Sequence, residues 1–229
     1  MLRFLLLLAT AAVVVAASFA PIATATRGDS SPAVVNGGFG SGLDGWTAVG
    51  ETSPCPWAAI VVLTGEAVCH AGYGFAEPAP VEGNSFVSTD FDRSDASAPT
   101  VAKLFQRITV PNRGGVTLRW SDFLSWDLVT YGALQPRTVT VEIRDPAGVQ
   151  VLRTLATKTI QPGTVNFGTT GWIAHNAEIT RFAGCEVTLM FSLTMPEVAT
   201  GPATYSVDNV HIDSGGGFRT TPAPSGRCG

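Results

Sequence analysis

The run Val34-Val35-Asn36-Gly37-Gly38-Phe39-Gly40-Ser41-Gly42-Leu43-Asp44-Gly45-Trp46 opens the part of this chain that can fold. It reads as a first strand with its turn. Val34, Val35 and Phe39 are apolar anchors, the five glycines permit turns at positive φ, and Trp46 is a large group that the returning chain must bury. Near the other end, Tyr205-Ser206-Val207-Asp208-Asn209-Val210-His211-Ile212 reads as a closing strand.

Between these two stretches the chain is a succession of short strands. The cleanest is 138–144, with Val139, Val141 and Ile143 on one face and Thr140, Glu142 and Arg144 on the other. Asp145-Pro146-Ala147-Gly148 turns it into 149–155, which makes a hairpin. In 186–195, Val187, Leu189, Phe191 and Leu193 alternate in the same way. Residues 104–110 and 116–126 read as a strand pair reversed by Pro111-Asn112-Arg113-Gly114-Gly115. Val116, Leu118 and Trp120 face the core in the second of these, and the alternation then breaks at Asp122-Phe123-Leu124-Ser125-Trp126-Asp127. That break predicts a bulge or a strand leaving its sheet. Shorter strands are expected at 58–63 and 85–89. The sum is about eight strands with Gly/Pro turns and no amphipathic helix of three turns, so the fold class is all-β, an antiparallel two-sheet sandwich. Strand counting alone leaves an immunoglobulin-like arrangement open.

The opening and closing stretches together resemble the galactose-binding-like jelly roll of carbohydrate-binding modules attached to bacterial xylanases and glucanases. There the opening is close to Asn-Gly-x-Phe-Glu-x-Gly-x-x-x-Trp and the closing ends in Asp-Asn-Val. The resemblance covers 34–213 and implies a jelly roll that binds a glycan. It also implies a structural calcium held by backbone carbonyls, by the acid after the opening Phe and by the Asp of the closing motif. Asp208 matches that last ligand, whereas Gly40 stands where the acid should be. Trp172, followed later by the Ala183-Gly184 turn, matches a Trp that packs in these modules.

Met1-Leu2-Arg3 followed by an uncharged apolar run to Ala20 reads as a secretory signal, and Ala23-Thr24-Ala25 as its cleavage site. A retained membrane anchor is the competing reading, because the run approaches the roughly 20 residues that a spanning helix needs. The expected layout is a signal peptide at 1–25, a polar leader at 26–33, the β-sandwich at 34–213 and a Gly/Pro-rich tail at 214–229. The mature protein is expected outside the cell, without a transmembrane segment. Fourteen Lys and Arg stand against 18 Asp and Glu, and no basic stripe interleaves with aromatics, which argues against a nucleic-acid partner. Arg27-Gly28-Asp29 has the letters of an integrin-binding tripeptide, a match that chance explains.

Cys55, Cys69, Cys185 and Cys228 contain no C-x-x-C pair, so in an exported chain they read as disulfides. Three connectivities are open. Cys55 with Cys69 would flank one hairpin and Cys185 with Cys228 would tie down the tail, which favours that pairing; Cys228 could also stay unpaired or bond another chain.

The candidate glycan contacts are Trp57, Trp126, Asp127 and Tyr131, with Tyr73 as a further exposed aromatic. A Trp beside acids at a break in strand alternation can stack on a sugar ring while carboxylates meet its hydroxyls. Asp90-Phe91-Asp92-Arg93-Ser94-Asp95 lacks EF-hand spacing and reads as a solvated loop. The chain has no H-E-x-x-H, no G-x-S-x-G and no Cys-His-Asn signature, so no enzyme is expected. Asp213-Ser214-Gly215-Gly216 has the look of a serine-protease loop but lacks its leading Gly and the strands that should follow. His175 and His211 are expected to make ordinary hydrogen bonds. The functional expectation is a secreted, non-catalytic glycan-binding protein. A structural or adhesive protein binding another protein is the alternative. A third reading is a polysaccharide hydrolase using Asp122 and Asp127.

Overall fold

The computed structural model describes residues 33–50, 58–61, 78–91, 100–130, 132–163, 167–197, 203–215 and 228. Along them run β1 (Thr47–Val49), β2 (Ala58–Val61), β3 (Ser85–Phe91), β4 (Thr100–Thr109), β5 (Val116–Trp126), β6 (Arg137–Arg144), β7 (Val151–Ile160), β8 (Gly168–Thr169), β9 (Ile173–Glu178), β10 (Glu186–Met195) and β11 (Ala203–Ser214). One sheet has the order β1-β4-β10-β6-β7; the other has β2-β3-β11-β5, with β8 and β9 both pairing with β5. Every pairing is antiparallel. The result is the two-sheet jelly-roll sandwich that the sequence predicts, with the short β1, β8 and β9 added to the expected eight strands.

The alternation of the central strands builds the core. In β10, Val187, Leu189, Phe191, Leu193 and Met195 are all fully buried. Each such side chain contributes about 1.5–3 kcal/mol over exposure. Val139, Val141 and Ile143 of β6 face them across the ladder. The β6–β7 hairpin forms as expected, its turn capped by Asp145, whose Oδ1 accepts from the amides of Val149 at 2.6 Å and Gln150 at 2.8 Å.

Three expectations are corrected. The opening run forms turns, and the first strand begins only at Thr47. Asn36 and Phe39 both take positive φ, outside the backbone region of a regular strand. The Gln106 side chain takes the place of a strand partner: its Oε1 accepts from the Val35 amide at 2.8 Å, while its Nε2 donates to the carbonyls of Val35 and Gly45. Phe39 and Trp46 still reach the core, with Trp46 between Phe39 and Phe191 at ring separations of 5.4 and 6.0 Å.

The second correction concerns 111–115, which joins strands of different sheets. Val110 keeps its bonds to the β10 side through Cys185 and Gly184, and Val116 is already bonded to Ile179 and Thr180. Five residues span the roughly 10 Å between packed sheets, so both valines can point inward.

The third correction is that β5 runs unbroken to Trp126, and the irregularity lies in its partner β11 between Asp208 and His211. The alternation is lost because both faces of β5 are covered. Trp172 packs edge-on to Phe86 at 5.7 Å and against Phe123 at 5.7 Å on the outer face, and its indole N–H donates to the Ala79 carbonyl. This is the packing role expected of Trp172.

Cys185 and Cys228 form a disulfide with a Cα–Cα distance of 5.6 Å, which holds Cys228 against the core. Its sequence separation of 43 gives a chain-entropy stabilisation of about 4 kcal/mol. Replacing both cysteines with serine is expected to lower the urea-unfolding free energy by about that amount. An unchanged midpoint would show that the bridge adds nothing to the fold. The Cys55–Cys69 pairing, the expected signal peptide and residues 26–32 of the leader lie outside the described residues. Among the described residues no helix is long and apolar enough to cross a membrane.

Candidate functional site

Trp120, Asp122, Leu124 and Trp126 alternate along β5, so all four side chains project between the two sheets. Asp122 is 5% exposed, a position at which a carboxylate needs partners to stay charged. It has three. Its Oδ1 lies 2.9 Å from Nε2 of His175, and its Oδ2 accepts from Nε1 of Trp120 and from the hydroxyl of Tyr205, both at 3.4 Å. His175 arrives from β9, directly opposite Trp120, and the two rings stack at 4.8 Å and 9°. Burial, then the charge of Asp122 and its hydrogen bond, push the Tyr205 hydroxyl well above its ordinary pKa, so it is a fixed donor.

Beside this cluster lies a cavity of about 110 Å³ between the sheets. Leu124 of β5, Val139 and Val141 of β6, Ala156 of β7 and Ile173 of β9 form apolar walls, and Asp122, His175 and Lys158 add polar groups. An Arg153 guanidinium N–H donates to the Glu178 carbonyl and bridges the sandwich edge from β7 to β9.

Trp126 is half-buried at the far end of the same row. It pairs across the ladder with Gly168 and lies where a side chain at 168 would stand, since a Cβ there would be 2.4 Å from the indole. Its indole N–H is buried, with no acceptor among the described residues. Asp127 follows beyond the strand, 9% exposed, its Oδ1 accepting from the Thr130 amide at 3.0 Å to cap a turn. Trp57, Tyr73 and Tyr131 lie outside the described residues, as do 92–99 of the acidic loop. The structure therefore brings Trp126 and Asp127 to one end of β5. Asp122 sits on the inward face, with its carboxylate engaged by Trp120, Tyr205 and His175.

Asp208 is fully buried where the opening and closing segments meet. Its Oδ2 accepts from the amides of Val81 at 2.7 Å and Glu82 at 3.0 Å, and its Oδ1 from the Asn209 amide at 2.7 Å. Burial raises its pKa; those amide bonds oppose the shift, and the nearby Glu82 charge adds to it. Three N–H groups aimed at both oxygens place positive dipoles where a bound cation would sit, so this geometry suits an internal cap and does not fit the calcium ligand that the resemblance implies. Among the described residues no group of three or more His, Cys, Asp or Glu could hold a metal.

Sequence reasoning missed the pairing of Asp122 with His175. A signal existed, because Asp122 shares the parity of Val116, Leu118 and Trp120 and was therefore an inward-facing acid in need of a partner. His211 makes the ordinary bond expected, with Nδ1 3.1 Å from the Asn209 carbonyl.

No family model matches the chain, and no curated protein does. Solved structures are similar in shape. TmCBM61, described in complex with beta-1,4-galactotriose, has a TM-score of 0.47 at 11% identity, over 81% of this chain and 100% of that one. The K3 cleaved adhesin domain of Lys-gingipain from Porphyromonas gingivalis has 0.45 at 15%, over 80% and 98%. The C-terminal family 22 carbohydrate binding module of Clostridium thermocellum Xyn10B has 0.39 at 13%, over 83% and 99%. Two of the three are carbohydrate-binding modules, the class that the opening and closing motifs resemble. At these scores the likenesses carry no weight for what this chain binds.

Proposed function

We propose that the domain binds a glycan without cleaving it, and that it does so outside the cell. The observation that carries the reading is the placement of Trp126. Its indole is half-buried and packed over Gly168 at one end of β5, and Asp127 is the next residue in the chain. An aromatic ring held by its cross-strand neighbour is a preorganised surface for the apolar face of a sugar. Asp127 keeps Oδ2 without a partner among the described residues, so it can accept from a sugar hydroxyl. The absence of cleavage is supported by the arrangement of the two acids: Asp122 is engaged between the sheets while Asp127 caps a turn beyond the strand. A secreted location is supported by the Cys185–Cys228 disulfide together with the signal-like first 25 residues.

Trp126→Ala is expected to lower affinity for the bound polysaccharide by about tenfold or more, from the aromatic surface lost to the ligand. The apparent melting temperature should fall only modestly, because the ring lies at the end of the sandwich. Affinity gel electrophoresis beside thermal unfolding separates the outcomes. Unfolding of the variant would assign Trp126 to the core, and undiminished binding would remove it from the site.

A further inference from the structure

We infer that the inter-sheet cavity beside Asp122 and His175 is a second binding site, for a small organic anion with an apolar body, such as an aliphatic or aromatic carboxylate. The inference is independent of the glycan reading and uses a different part of β5.

Size and lining set the first requirement. At about 110 Å³ the cavity approaches the roughly 150 Å³ of an apolar cavity known to hold benzene, and it is too small for an oligosaccharide. Leu124, Val139, Val141, Ala156 and Ile173 offer no hydrogen bonds from their side chains, so the body of the ligand is a hydrocarbon group of a few carbons.

Charge sets the second requirement. The negative charge of Asp122 is already met by three donors, from Trp120, Tyr205 and His175. A cationic ligand would compete with all of them. The charge left to use is the opposite one. Lys158 lines the cavity from the edge strand β7, is exposed, and makes no ion pair among the described residues. The His175 side chain is 26% exposed, and its Nδ1 has no partner among the described residues while Nε2 is held by Asp122. Because Nε2 donates to Asp122, Nδ1 is an acceptor and gives nothing to an anion, so the Lys158 ammonium at the cavity wall is the group that receives the ligand's carboxylate. The His175 ring is held flat against Trp120, so it is oriented before any ligand arrives.

The test is an NMR titration of the folded protein with butyrate, hexanoate and benzoate, and with hexanol and hexylammonium as uncharged and cationic controls. Carboxylates are expected to shift the resonances of Ile173, Ala156 and His175 saturably. Hexanol should bind about threefold more weakly than hexanoate, the worth of one ion pair to an exposed lysine. Hexylammonium should bind no better than hexanol. Lys158→Gln, a change on an exposed edge, should abolish the preference for hexanoate while leaving hexanol unaffected. Ala156→Leu should fill the cavity and remove the shifts for every ligand. Three results would overturn the inference: no saturable shift with any carboxylate, hexanol binding as tightly as hexanoate, or a carboxylate preference that survives Lys158→Gln.

Discussion

Gly37→Ala is expected to destabilise the domain by at least about 4 kcal/mol, enough to prevent accumulation of folded protein. A Cβ at position 37 would stand 1.8 Å from the carbonyl oxygen of Val210 and 2.8 Å from its carbonyl carbon. Both are backbone atoms of β11, so no rotamer change relieves the overlap. The two segments are also bonded there, the Val210 amide donating to the Gly37 carbonyl at 2.9 Å. Pushing them apart would break that bond and disturb Asp208, whose carboxylate holds the amides of Val81 and Glu82. Gly40 is the internal control. It has no neighbour within 4 Å of a built Cβ and no positive φ, so Gly40→Ala should change stability by less than about 0.5 kcal/mol. Urea denaturation of both variants checks the contrast. Equal midpoints for Gly37→Ala and wild type would mean that the opening run does not lie against β11.

Arg137→Ala is expected to cost about 3–5 kcal/mol, the penalty for leaving one charge of a buried pair alone. The Arg137 side chain is 0% exposed and its Nη1 lies 2.9 Å from Glu197 Oε2, a carboxylate itself only 10% exposed. The same guanidinium donates to the Gln135 carbonyl, and the other Glu197 oxygen accepts from the Leu134 amide at 2.7 Å. The pair thereby clamps the segment before β6 to the residues that follow β10. Burial alone would raise the pKa of Glu197, but hydrogen bonds at Gln135, Arg137 and Leu134 and the Arg137 charge outweigh it and hold the carboxyl below its usual range.

The sign of the pH dependence follows from that direction. A carboxyl whose folded pKa lies below its unfolded value contributes stability above the unfolded value and loses it as pH falls through the folded one. The clamp therefore works at neutral pH and weakens below about pH 4. Glu197→Gln should flatten the acid limb of a stability profile measured from pH 7 to pH 3. An acid limb identical to that of the wild type, together with an unchanged midpoint for Arg137→Ala, would contradict a buried, charged pair.

The strands with one clean inward face were legible from alternation alone. Val139, Val141 and Ile143, and the row from Val187 to Met195, gave β6 and β10 because period-two burial leaves a direct trace in sequence. Two kinds of feature left a misleading trace. Where both faces of a strand are covered, as Trp172 covers the outer side of β5 through Phe123, alternation vanishes although the strand continues. Where a side chain stands in for a strand, as Gln106 does for the opening run, the partner lies 71 residues away from Val35 and nothing local announces it. The same limit applied to the site. Trp126 was visible as an aromatic beside acids, but the support of Gly168 and the pairing of Asp122 with His175 are set by which strands meet.

Glycan binding at the Trp126 end of β5 is tested most directly by retention of residues 26–229 on a panel of insoluble polysaccharides, run with calcium and with chelator. The expected result is selective retention on one polymer, lost in Trp126→Ala and unchanged by chelator, since the Asp208 carboxylate is already met by backbone amides. A folded protein retained by none of the polymers would contradict the glycan-binding reading, and retention that disappears with chelator would contradict the role of Asp208 as an internal cap.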